Sequence, residues 1–177
     1  MKILMTLLLS LTIAHALTNE QLQTVEQIKS VAKHIKDDRG ESYTKTLLAI
    51  ALTESSLGVQ VVGDLDKNDI KKSSLGVFQF QLATAKYIIE KDDYLRPRFK
   101  HLLHNDKVLM SILLTNVEFS TLLAGRYFLY NLRLAKERHM WNPWYRAISR
   151  HNGGWNNKTY YDRVVRNLKL LKMEGVM

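Results

Sequence analysis

The chain has 177 residues, 46% of them hydrophobic, with 26 Lys and Arg against 17 Asp and Glu, for a formal charge of +9. That length suits one compact domain with a real core. The absence of cysteine excludes a disulfide-stapled scaffold, so stability must come from packing.

Residues 1–16, MKILMTLLLSLTIAHA, combine Lys2, an apolar run and Ala14-His15-Ala16 as an A-x-A cleavage site. This is the pattern of a secretory signal peptide. The run is too short to span a bilayer comfortably, and no second one follows. Residues 17–177 are then one mature domain beginning at Leu17, and the loss of Lys2 lowers the formal charge from +9 to +8. A basic, cysteine-free, exported chain fits a bacterial envelope protein, periplasmic or secreted. Anionic envelope polymers and membrane surfaces are its expected partners, ahead of nucleic acid.

The mature chain reads as helices throughout. Asn19 caps a helix with Val25, Ile28, Val31, Ala32 and Ile35 on one side, ending near Asp38-Arg39-Gly40. Ser42 or Thr44 opens a second that stops around Gly58, and residues 59–75 are polar, turn-rich and irregular. A helix over about 82–91 turns Leu82, Ala85 and Ile89 inward, and Pro97 precedes a short helical turn. Asp106 starts another helix through Leu113, and Thr115 with Glu118 forms a capping box for a long one to about Glu137. Asn142-Pro143 starts the next, which Gly153-Gly154 ends, and Thr159 caps the last. No run alternates with period two for long enough to predict a major sheet.

The second helix, in TLLAIALTESSLG (residues 46–58), poses a chemical question. Leu47, Ile50 and Ala51 form an apolar stripe whose next position is Glu54. A carboxyl flanked by apolar neighbours holds its proton to higher pH, because desolvation disfavours the charged form, and such a group can serve as a general acid. By periodicity alone the plainer reading is favoured, a glutamate just beyond the packed face at the frayed end of its helix, because surface glutamates vastly outnumber catalytic ones.

Two further segments weigh on that choice. SSLGVFQFQ (73–81) is a small-residue turn leading into an apolar stretch interrupted by Gln79, and RAISRHNGGW (146–155) ends a helix in asparagine and two glycines. Taken in order, E-S, G-x-x-Q, N-x-G and Y resemble the lytic transglycosylases of the soluble type, in the lysozyme-like superfamily. ALTESSLG resembles the E-S motif, with Glu54 at the acid/base position followed by Ser55. Ser74-Leu75-Gly76-Val77-Phe78-Gln79 resembles the motif usually written GLMQ, and LLAGRYFLYNL (122–132) resembles the helix usually reading N-x-x-x-G-x-x-Y-L. HNGG resembles YNAG, with Asn152 at its asparagine, and Tyr161-Asp162-Arg163-Val164-Val165 resembles the closing Y-V-x-x-V. The resemblance covers roughly residues 42–170. His151 departs from the usual tyrosine and Phe78 from the usual methionine, and Tyr160 adjoins Tyr161, so two rings compete for one position.

The resemblance implies a mostly α, single lysozyme-like domain that cleaves the β-1,4 bond between N-acetylmuramic acid and N-acetylglucosamine in peptidoglycan. It implies that Glu54 protonates the glycosidic oxygen and then, as carboxylate, takes the proton of the muramoyl 6-hydroxyl, closing a 1,6-anhydro ring. Ser74, Gln79 and Asn152 would hold saccharide amides and hydroxyls, Ser55 and Gly76 would bind or orient substrate beside them, Phe78 would be an apolar wall, and Tyr161 would orient Glu54. No cofactor or metal is implied, and the partner is the glycan strand, with a protein of an envelope machine as a possible second.

Other patterns read as ordinary surface. Asp64, Asp66 and Asn68 match the start of a calcium loop, but Asp69 replaces the turn glycine and Leu75 the closing glutamate. His101 and His104 read as surface residues of a short helix, and Trp141, Trp144, Tyr145 and Trp155 as groove or core in equal measure. Two alternatives stand beside the first reading: a lysozyme-type hydrolase in which Asp64 or Asp66 positions water, and a catalytically silent peptidoglycan-binding module.

Overall fold

The computed structural model describes residues 17–64 and 69–177. The segment read as a signal peptide lies outside the described residues, as do Asp66 and Asn68. The described chain is mostly helical. Helix α1 (Asn19–Ala32) starts one residue earlier than expected, because Thr18 rather than Asn19 is the cap. Thr18 Oγ1 accepts from the Gln21 N–H, and Gln21 Oε1 accepts from the Thr18 N–H. The helix also ends sooner. Beyond Ala32 the Asp37 carboxylate accepts the N–H groups of Arg39 and Glu41, a local turn that competes with helix continuation. Ile35 is buried all the same.

Helix α2 (Thr44–Ser55) is the centre of the molecule. Leu47, Leu48, Ala49, Ile50 and Ala51 are all at most 1% exposed, so the helix is enclosed rather than striped. Truncating one of its leucines to alanine costs about 2–5 kcal/mol. It packs against α1, α6 (Val117–Glu137) and α8 (Lys158–Met173). Gly125 lets α6 come close: a Cβ there would lie 2.5 Å from Ile35 Cδ1 and 3.3 Å from Leu47 Cδ1. Ser56 and Leu57, both at positive φ, then end α2 abruptly.

The segment expected to be irregular carries a small antiparallel sheet. Strands β1 (Val62–Gly63), β2 (Ser74–Leu75) and β3 (Phe80–Gln81) pair in that order, with Gly63 opposite Ser74 and Ser74 opposite Gln81. Two-residue strands have no period for a sequence pattern to display, and pairing across the turn defines them. A 3-10 turn (Ile70–Lys72) lies between β1 and β2.

Helix α3 (Leu82–Lys91) matches the expected span and buries Leu82, Ala85 and Ile89. Helix α4 (Leu95–Phe99) contains Pro97 instead of following it and runs into a 3-10 turn (Lys100–His104). Helix α5 (Asp106–Thr115) is capped by Asn105, whose Oδ1 accepts from the Val108 N–H. Asn116, not Thr115, caps α6 through the Phe119 N–H, because Thr115 belongs to α5 and bonds back to the Ser111 carbonyl. Helix α7 (Pro143–His151) has the expected Asn142-Pro143 start. Asn157 caps α8 in place of Thr159, accepting from the Tyr160 N–H at 3.0 Å.

Candidate functional site

Glu54 is the next-to-last residue of α2, and its side chain is half-buried. Its Oε1 accepts a hydrogen bond from the Tyr160 hydroxyl at 2.5 Å. Tyr160 comes from the first turn of α8 and is 1% exposed. Burial, then the charge of Glu54 and the hydrogen bond to it, push the Tyr160 phenol well above its ordinary range. It therefore stays protonated and acts as a fixed donor. The other carboxylate oxygen of Glu54 has no hydrogen-bond partner among the described residues.

A turn over residues 76–79 is tied to the end of α2 by Ser55. Its buried hydroxyl donates to the Val77 carbonyl at 2.8 Å and accepts the Gly58 N–H at 2.9 Å. Gly76 has φ +74°, and a Cβ there would run into the Leu113 carbonyl oxygen. Only glycine meets both demands. Gln79, also at positive φ, closes the turn: its Nε2 donates to the Gln60 and Gly76 carbonyls at 3.0 and 2.9 Å. Ser74 Oγ donates to Asp64 Oδ2 at 3.3 Å, holding the Asp64 carboxylate against β2.

The end of α7 closes the arrangement. His151 stacks parallel to Tyr160, with planes 9° apart and centroids 6.4 Å apart, and its Nε2 lies 3.2 Å from the Phe78 carbonyl oxygen. Asn152 is exposed, and its Oδ1 accepts from Asn157 Nδ2 at 3.0 Å. These contacts thus link four separated segments, the end of α2, the turn at 76–79, the end of α7 and the start of α8, and the last of them brings Tyr160 to Glu54. No family model matches this chain, and no curated protein or solved structure matches it.

Several expected roles need correction. Tyr160, not Tyr161, bonds Glu54. Tyr161 turns a hundred degrees along the helix and packs edge-on against Trp144 and Tyr145, with centroids 5.6 and 4.8 Å away. The doubled pairs Tyr160-Tyr161 and Val164-Val165 allow either register, and only burial separates them, with Tyr160 and Val164 at 1% and 0% exposure. Phe78 is 0% exposed and belongs to the core, so it is not a groove wall. Ser55 is buried as well, and its hydroxyl is spent on holding the turn. The Gln79 amide nitrogen is engaged by backbone, which leaves its carbonyl oxygen as the group to offer.

Two residues gain importance that the sequence did not assign. His151 bridges the Phe78 turn and Tyr160, and Tyr127 of α6 lies beside it, with ring centroids 6.2 Å apart. The two stand on different helices, α6 and α7, 24 residues apart in the chain (127 to 151), and no local pattern marks them as neighbours.

Proposed function

We propose that this chain is an exported lytic transglycosylase of lysozyme-like fold, cutting the β-1,4 bond between N-acetylmuramic acid and N-acetylglucosamine in peptidoglycan without water. The observation that carries the reading is the Glu54–Tyr160 pair, linked through Ser55 and His151 to the segments that resemble the family's motifs. A carboxyl at the end of the central helix, beside a small antiparallel sheet, supports the lysozyme-like part of the reading.

With Oε1 held by Tyr160, the second oxygen of Glu54 faces the glycosidic bond. Protonated Glu54 gives its proton to the leaving oxygen of N-acetylglucosamine as the bond to the muramoyl C1 breaks. The muramoyl 6-hydroxyl then bonds to C1 and returns its proton to Glu54, so the enzyme ends as it began. Both proton transfers use one residue, and the intramolecular nucleophile has a large effective-concentration advantage over water. Tyr160, enclosed in the core with its hydroxyl on Oε1, serves to orient Glu54.

Glu54→Gln preserves shape but cannot cycle a proton, and turnover on purified sacculi is expected to fall by at least roughly 10²–10⁴-fold. Mass spectrometry of the wild-type digest should show 1,6-anhydromuramoyl ends, one water lighter than hydrolytic ends and inert to borohydride. A second reading has one observation in its favour: Asp64 is fixed by Ser74 on the same small sheet, where it could direct a water. Reducible muramic ends as the main product would select that hydrolase. Retained binding with no cleavage by wild-type protein would select a silent module.

A further inference from the structure

A cavity of about 210 Å³ lies between α3, α6, α7 and the loop before α8. Tyr87, Tyr127, Tyr130, Arg138, Arg150 and Trp155 line it. Two guanidinium groups address one indole: Arg138 Cζ lies 5.7 Å and Arg150 Cζ 5.5 Å from the Trp155 ring centroid. Trp155 is held by its backbone, whose carbonyl accepts from Arg146 Nη1 at 3.0 Å. Arg150 spends one nitrogen on the Gly153 carbonyl at 2.8 Å.

What these arginines lack is a counter-charge. Nearby Arg126 pairs with Asp92, Arg133 with Glu137 and Lys136 with Asp37. Among the described residues neither Arg138 nor Arg150 has a carboxylate within 4.0 Å. Two cations gathered on one aromatic ring repel each other, and an anion that bridges them relieves the repulsion. The guanidinium fork suits a carboxylate, and the indole and two tyrosine rings suit the aliphatic chain next to it.

Size and position narrow the ligand. Small-molecule sites run to about 300–1,000 Å³. The smaller cavity takes a side group of a larger ligand. It is linked to the Glu54 site through Tyr127 and His151. Tyr127 touches His151, and its hydroxyl donates to the Arg150 carbonyl at 3.4 Å. Residues 150–155 supply His151 and Asn152 to one site and Arg150 and Trp155 to the other. We infer that the Arg138–Trp155–Arg150 cavity binds a carboxylate of the peptide stem carried by muramic acid, so that the protein selects glycan bearing acidic peptides. The inference rests on the peptidoglycan reading of the Glu54 site.

The test is a binding measurement on the full chain carrying Glu54→Gln, which keeps the ligand intact. Titration with an N-acetylmuramoyl peptide bearing free carboxylates is compared with the same compound fully amidated, following Trp fluorescence. The free acid should bind at least about tenfold tighter, the effect of one charge-assisted hydrogen bond. Arg138→Gln, at an exposed position, and Arg150→Gln should each bring the free acid close to the amidated ligand. Equal affinity of the two ligands for unaltered arginines overturns the inference, with no variant required. So does full selectivity in the folded Arg138→Gln/Arg150→Gln protein. Failure of the glycan reading itself shows separately, as absence of cleavage products from sacculi treated with wild-type protein.

Discussion

Replacing Tyr160 by phenylalanine removes one oxygen from the molecule and keeps a ring that is 1% exposed and stacked on His151. The lost group is the single donor to Glu54 among the described residues, at 2.5 Å. A hydrogen bond to a charged group contributes about 1.5–3 kcal/mol, and if that orientation is needed throughout the reaction, turnover falls about ten- to hundredfold. Tyr161→Phe is the control. Its hydroxyl makes no hydrogen bond among the described residues, and its ring contacts with Trp144 and Tyr145 survive the change. Its effect should stay within about twofold, as for a surface substitution away from any special feature. Release of soluble muropeptides from sacculi at saturating substrate measures both, with circular dichroism to confirm folding. Loss of activity in Tyr161→Phe with normal turnover in Tyr160→Phe would refute the assignment of the orienting residue.

Gly76→Ala forces a side chain into the left-handed region and against the Leu113 carbonyl, so unfolding by urea should show a loss of about 2–5 kcal/mol; an unchanged midpoint would mean the turn is not built this way. Ser55→Ala leaves the Val77 carbonyl and the Gly58 N–H unpaired in the interior, and should lose about 1–3 kcal/mol in the same assay, together with part of the activity that depends on the 76–79 turn. Asp37 gives a pH test. Its burial pushes the carboxyl up, but the Glu41 N–H, the Tyr43 hydroxyl and the Arg39 N–H together hold it below its ordinary value. Its stabilisation is then complete above the unfolded value of about 4 and is lost as pH falls through the lower folded value. The stability gap between wild type and Asp37→Asn should be widest near neutrality and close on acidification. A gap that is constant from about pH 7 to pH 3 would reject that account.

Much of this was readable from the chain alone. Long helices announce themselves through apolar spacing, so α3 and the body of α6 and α7 fall where expected, and Glu54 could be picked out as the carboxyl ending the apolar run of α2. Gly76 and Ser55 were visible too, as motif positions expected to bind or orient substrate, although not as the residues that build and tie down the 76–79 turn. Helix starts were less legible because Thr18, Asn116 and Asn157 stand within two residues of equally good caps, and which one wins depends on where the preceding segment is held.

What the tertiary structure decided is which side chains meet. The 160–161 and 164–165 pairs look alike in the sequence, and only packing of α8 on α2 turns Tyr160 toward Glu54 and Tyr161 toward Trp144. Phe78 could line a groove or fill the core by composition, and enclosure beside α7 made it core. Helical periodicity is local, so sequence can say that a residue faces inward along its own helix. The partner it faces is set by how helices distant in the chain bury their apolar surfaces together, and that is a property of the whole fold.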